Sequence, residues 1–114
     1  MPAQTALLPF AEKYFQKDPI SAAHSLESLS EDRAISVLKA LPSHCAAHAF
    51  KHLQPHFAAG ILRDVPEELF DEISAHMEPL HGAAVVAHLS EDDRAKVLLR
   101  LPKKIKDQIS ELLT

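Results

Sequence analysis

The sequence predicts an all-α protein, a superhelix of about nine short helices stacked as a solenoid-like array. Three observations predict it. Glycine is nearly absent, at Gly60 and Gly82 alone, while Ala and Leu abound, and that composition favours helix. Start signals recur every 11 to 13 residues, at Pro19, Glu31, Pro42, Pro55, Pro66, Pro79, Glu91 and Pro102. Each unit also ends on an apolar residue just ahead of the next start: Leu29, Leu41, Leu53, Val65, Met77, Leu89 and Leu101.

Taken in order, Thr5 to Lys17 is the first helix, with Leu7, Leu8, Ala11, Tyr14 and Phe15 on one apolar stripe and Pro9 near its first turn. It is expected to cap one end of the core, as terminal units of an array do. Asp18-Pro19 then opens the array, an N-cap followed by proline at the first helical position. Two later starts lack proline and share a phrase instead. Leu29 to Pro42 and Leu89 to Pro102 both open Leu-Ser-Glu-Asp and close Leu-Pro, the second with an additional Asp ahead of its arginine. Ser30 and Ser90 cap those helices, and Glu31, Asp32, Glu91, Asp92 and Asp93 sit where the helix dipole favours negative charge. On this reading Arg33 and Arg94 occupy matching places, each pairing a neighbouring acid or covering a joint.

Within the units, small residues precede larger apolar ones. Examples are Ala22, Ala23 and Leu26; Ala46, Ala49 and Phe50; Ala58, Ile61 and Leu62; and Ala84, Val85 and Leu89. Small residues let helix axes approach closely where they cross. Joints of one or two residues forbid the long antiparallel pairs of a four-helix bundle. Lys103 to Leu113 closes the array as an amphipathic helix with Ile105, Ile109, Leu112 and Leu113 on one side. Residues 1–114 thus read as a single helical domain, 1–17 a capping helix and 18–114 the array.

Composition narrows the function. A formal net charge of −4 argues against a broad nucleic-acid footprint. No apolar run approaches the roughly 20 residues of a membrane span, so no direct membrane insertion is expected. Met1 to Phe10 lacks the pattern of a signal peptide, and the lone Cys45 fits a reducing compartment, so a cytoplasmic location is expected. There is no Gly-rich phosphate loop, His-Glu-x-x-His motif or nucleophile elbow, so an enzyme is not expected.

The order of joints resembles the N-terminal intracellular domain of the MgtE family of magnesium transporters and channels. The residues that carry the resemblance are Asp18-Pro19-Ile20-Ser21-Ala22-Ala23, Leu26-Glu27-Ser28-Leu29, Leu38-Lys39-Ala40-Leu41-Pro42, Ala46-Ala47 and His52-Leu53-Gln54-Pro55. The resemblance implies a cytosolic regulatory domain that senses divalent cations or docks on neighbouring CBS domains, with a membrane domain beyond them, to gate transport. It also implies a homodimer through the full-length protein. The chain stops where the CBS domains would begin, which implies an excised regulatory domain or a stand-alone relative. In the family, Mg2+ bridges acidic faces of this domain and the CBS domains. The family's Ala-Ala-Glu-Val-Leu phrase falls on Ala46-Ala47-His48-Ala49-Phe50, so His48 stands where a carboxylate is typical. Flagellar switch proteins of the FliG type carry similar arrays, and the alternative reading is a stand-alone helical scaffold for a protein partner.

Two constellations are candidate sites. The acids Glu67, Glu68, Asp71 and Glu72, with Glu91, Asp92 and Asp93, read as helix-start chemistry or as a divalent-cation or docking face. Of these, Glu68, Asp71, Glu72, Asp92 and Asp93 are the candidate ligands. His44, His48 and His52, spaced by four, are expected on one exposed face of a helix from Ser43 to Leu53. They read as a solvated face or as ligands for a transition metal, which imidazole suits better than Mg2+. Lys103, Lys104 and Lys106 form a short basic run that reads as a solvated face, the complement of a helix end, or a contact for anionic lipid.

Overall fold

The computed structural model describes residues 11–114. Residues 11–17 are helical and are labelled α1; the expected stripe positions Leu7 and Leu8, and Pro9, lie outside the described residues. Eight helices follow: α2 (Pro19–Leu26), α3 (Glu31–Ala40), α4 (Ser43–Phe50), α5 (Pro55–Asp64), α6 (Glu67–Ala75), α7 (Pro79–Ala87), α8 (Glu91–Arg100) and α9 (Lys103–Leu113). No strand occurs among the described residues. The body is elongated, 46 × 24 × 22 Å.

The expected caps form. The Asp18 carboxylate accepts from the Ser21 N–H at 3.2 Å, and hydrogen bonding to Ser21, to its side chain first and then its backbone, holds it below the ordinary aspartate pKa. Ser30 accepts from the Arg33 N–H at 3.3 Å, and Ser90 from the Asp93 N–H at 3.2 Å. Each of the two serine caps is worth about 1 kcal/mol. Proline is used in two ways. Pro19, Pro55 and Pro79 are first helical residues, as expected. Pro42, Pro66 and Pro102 are N-caps in extended backbone, so α4, α6 and α9 start one residue later than the proline spacing suggests. The cause is the residue before each. Leu41, Val65 and Leu101 are themselves extended C-caps, and two extended residues in a row are needed to turn the chain from one helix into the next.

Those Leu-Pro and Val-Pro joints contain two residues, but the others are longer than expected: four after α2 and α4, three after α6 and α7. In the longer joints the chain runs on past the helix before Leu53, Met77 and Leu89 drop into the core. All seven unit-ending apolar residues pack inward, Leu29 only partly.

Helices pack mainly on the helix two places ahead. One row runs α2, α4, α6; the other runs α3, α5, α7, α9. The joints explain this, since a sharp turn angles each helix away from its neighbour and lays it beside the one before that. Small residues line the crossings: Ala22, Ala23, Ala46, Ala49 and Ala58 are fully buried. Phe50, Phe70, Leu38, Ile61, Leu62, Ile73 and Ile109 fill the space between rows, and burying each contributes about 1.5–3 kcal/mol. Among the described residues the one buried polar side chain, Ser74, donates to the Phe70 carbonyl at 2.7 Å.

Three expectations about faces change. Tyr14 is 41% exposed, its hydroxyl 3.2 Å from the Ser25 hydroxyl, so Phe15 alone of that aromatic pair enters the core. Leu112 and Leu113 are exposed, because α9 docks on α7 through Ile105 and Ile109 and no later helix covers its last turn among the described residues. Finally, the two Leu-Ser-Glu-Asp phrases are out of phase. Both helices have ten residues and the same cap, so Asp93 occupies the place of Arg33, and Arg94 the place of Ala34. Arg33 and Arg94 therefore do not match. Ala34 is fully buried on α3, whereas α8 buries Val97 and turns Arg94 back along the chain.

Candidate functional site

The histidine face is built by α4 and the joint after it. His44 and His48 are exposed on α4, opposite the buried Ala46, Ala49 and Phe50. His52 is exposed too, but α4 ends at Phe50, so His52 stands in the joint rather than on the helix. The helix stops early because Leu53 is drawn into the core ahead of Pro55. The structure brings His48 and His52 together, their rings edge to face with centroids 5.5 Å apart. His44 lies beside Cys45 instead, its Nε2 3.5 Å from Sγ. Cys45 itself is buried, which keeps its sulfur from the surface. Partial burial, then the charges of His48 and Lys51, push the His52 imidazole below its ordinary pKa, against an opposing pull from Glu78.

The acidic residues divide into two places. Glu67, Glu68 and Asp71 are exposed on α6, and Glu72 is half-buried, 3.9 Å from His76 Nε2. Glu68 and Glu72 stand one turn apart on that helix. On α8, Asp92 is exposed and Asp93 is half-buried toward α5. There Asp93 joins a cluster that sequence reasoning missed. The Arg63 guanidinium pairs with Asp64 at 2.9 Å and with Glu31 of α3 at 3.4 Å, and Asp93 adds to the field; hydrogen bonding to Asp64 foremost raises the Arg63 pKa. Nothing in the linear pattern signals a partner 32 residues away. Among the described residues, no three His, Cys, Asp or Glu side chains converge to hold one ion. An ion at either face would take the rest of its shell from water or from another chain.

Other polar links were also invisible in the sequence. The Glu27 carboxylate accepts the Gln54 N–H at 2.6 Å. His81 Nε2 donates to the Leu53 carbonyl at 2.9 Å, its ring against Phe50. Both brace the joint between α4 and α5. Arg94 donates to the carbonyls of Val86, Ala87 and Leu89, covering the end of α7. Of the two expectations for that arginine, covering a joint is the one realised.

The fold is thus that of a helical-array domain whose charged groups lie on exposed faces. The model of one family, MgtE intracellular N domain, matches residues 17–114. The chain belongs to that family, and the all-α array is the fold expected for it. No curated protein matches the chain. No described helix is long and apolar enough to cross a membrane.

Proposed function

We propose that this chain is a regulatory module of an MgtE-type magnesium transporter or channel, docking on neighbouring CBS domains in response to divalent cations. Family membership over residues 17–114 is the observation that carries this reading. The chemistry of the α6 face supports it. Glu67, Glu68 and Asp71 are exposed and form no ion pair among the described residues. Carboxylate oxygens are the hard ligands Mg2+ requires, and Glu68, Asp71 and Glu72 fit that ion in donor type. Two or three carboxylates on one short helix make a weak, water-rich site alone. Opposite a second acidic surface they become a switch, because the ion relieves repulsion that otherwise parts the two faces. His48 is excluded from this ligand set, since imidazole is a poor ligand for Mg2+.

Sedimentation velocity tests the proposal. The chain is mixed with the purified CBS-domain pair of an MgtE-type transporter from the same organism, with and without millimolar Mg2+. Mg2+ is expected to drive the two into one complex, and Glu68→Gln combined with Asp71→Asn to weaken that response. A complex indifferent to Mg2+, or to the two substitutions, rules out cation-linked docking through α6.

A further inference from the structure

Six of the eight histidines lie in two runs, His44 to His56 and His81 to His88. The fold lays one run against the other where α7 packs on α5. What each ring touches then sorts them. His81 is committed, its Nε2 donating to the Leu53 carbonyl at 2.9 Å. His44 lies 3.5 Å from the Cys45 sulfur. His56 and His88 form a loose pair across two helices, their ring centres 6.4 Å apart. His48 and His52, both exposed, form the closer pair, with ring centres 5.5 Å apart.

The two separations differ in what they can hold. A transition-metal ion sits about 2.0–2.1 Å from an imidazole nitrogen, and hence about 3.2 Å from the ring centre. Two rings that share an ion at the tetrahedral angle therefore have centres about 5.2 Å apart. A separation of 6.4 Å is reached only with both rings and the ion in line. The His48–His52 spacing thus fits a chelated ion and the His56–His88 spacing does not. The His48 and His52 rings stand edge to face. Rotation about Cβ–Cγ turns the ring nitrogens while leaving the ring centre nearly in place. That torsion is broad in energy, so a nitrogen of each ring reaches a shared point at little cost.

The backbone beneath the pair is held. The His52 N–H donates to the Ala49 carbonyl at 3.0 Å and the Leu53 N–H to the Phe50 carbonyl at 3.1 Å, so a tight turn of 3₁₀ type carries His52 on from the end of α4. Glu27 and His81 brace the same joint. Of the charges around His52, Lys51 repels a cation and Glu78 attracts it. Partial burial first, then His48 and Lys51, lowers the His52 pKa, so at neutral pH the ring carries the free lone pair that a metal needs. We propose that His48 and His52 chelate one borderline transition-metal ion, of the Zn2+, Ni2+ and Cu2+ class, through one ring nitrogen each, with water in the remaining positions. Imidazole selects this class over Mg2+. No residue of the acidic α6 face takes part, so the proposal stands or falls independently of cation-linked docking.

Isothermal titration calorimetry of the full 114-residue chain, free of any histidine tag, tests it. The probe is ZnCl2 in a non-chelating buffer at about pH 7.5, where imidazole is neutral, with millimolar MgCl2 present throughout. One Zn2+ per chain is expected at the tightest site. His48→Ala and His52→Ala are each expected to weaken it about tenfold or more, because the remaining imidazole loses the second, intramolecular ligand. His24→Ala and His56→Ala are expected to leave it unchanged. All four positions are exposed, and far-UV circular dichroism checks that the variants keep the fold. No saturable binding, or unchanged affinity in either His48→Ala or His52→Ala, overturns the proposal. So does an equal loss in His24→Ala or His56→Ala, which marks an adventitious ion only, or one Zn2+ shared between two chains.

Discussion

The carboxylate of Glu27, just past the end of α2, accepts the backbone N–H of Gln54 at the start of α5, at 2.6 Å. It joins two joints that are far apart in the chain and so clamps the α2–α3 turn to the α4–α5 turn. The N–H it satisfies belongs to the N-cap of a helix with no side-chain cap of its own. Glu27→Ala is expected to destabilise the fold by about 1.5–3 kcal/mol, the range for a hydrogen bond to a charged group. Glu27→Gln, whose amide oxygen still accepts, is expected to lose less than half of that. Urea unfolding of the three proteins checks the order, and an Ala variant as stable as wild type removes the clamp.

Arg94 and Arg33 differ in consequence although their phrases look alike. Arg94 reaches three carbonyls at the end of α7, while the Arg33 side chain is exposed and forms no hydrogen bond among the described residues. Arg94→Ala is expected to cost about 1–2 kcal/mol by leaving part-buried carbonyls unpaired. Arg33→Ala is expected to stay within about 0.5 kcal/mol of wild type. Thermal unfolding of the pair separates them; equal effects contradict the offset register of α3 and α8.

The two glycines call for opposite outcomes. The nearest atoms a methyl group on Gly60 would meet belong to the carboxylate of Glu31, the far end of a flexible and partly exposed side chain. Gly60→Ala therefore gains about 1 kcal/mol of helix propensity, less whatever the displaced Glu31–Arg63 pair contributed, which is small at that exposure. On Gly82 the same methyl falls 2.7 Å from Ile109 Cδ1 and 2.8 Å from Met77 Sδ, both in the α7–α9 core. Overpacking of that kind costs about 1–3 kcal/mol and outweighs the propensity gain. Denaturant midpoints are expected to rise for Gly60→Ala and fall for Gly82→Ala.

His52 ties stability to pH. Its folded-state pKa lies below the ordinary value, from partial burial first and then from the nearby His48 and Lys51. The unfolded chain therefore takes the proton before the folded one does. The stability this residue contributes is fully present above about pH 6.5 and is lost as pH falls from there through the lower folded value. Urea midpoints measured from about pH 7.5 down to about pH 5.5 are expected to fall, and to fall less steeply in His52→Asn. An unchanged slope in the variant contradicts the assignment.

The candidate faces were legible in part. The spacing of four placed His44 and His48 on the exposed side of α4, because helical periodicity alone decides which positions oppose the apolar stripe. It did not show that His52 leaves the helix, since that follows from Leu53 being pulled into the core ahead of Pro55. The acidic residues were visible as a set, but their division was not. Asp93 turns toward Arg63 on α5 while Asp71 faces solvent on α6, a distinction made by packing between distant helices.

By itself, the sequence determined where the helices begin, to within a residue, and which apolar residues turn inward at the joints. Those are local matters: a serine or aspartate oxygen reaches an N–H three residues on, and a proline restricts the residue before it, whatever the rest of the chain does. Only the tertiary structure decided the two-row packing, the rotation of α8 against α3 and the pairing of Arg63 with Glu31. Each of these depends on distances through space between residues that the chain holds far apart, and such distances exist only once the rows have closed on their shared core.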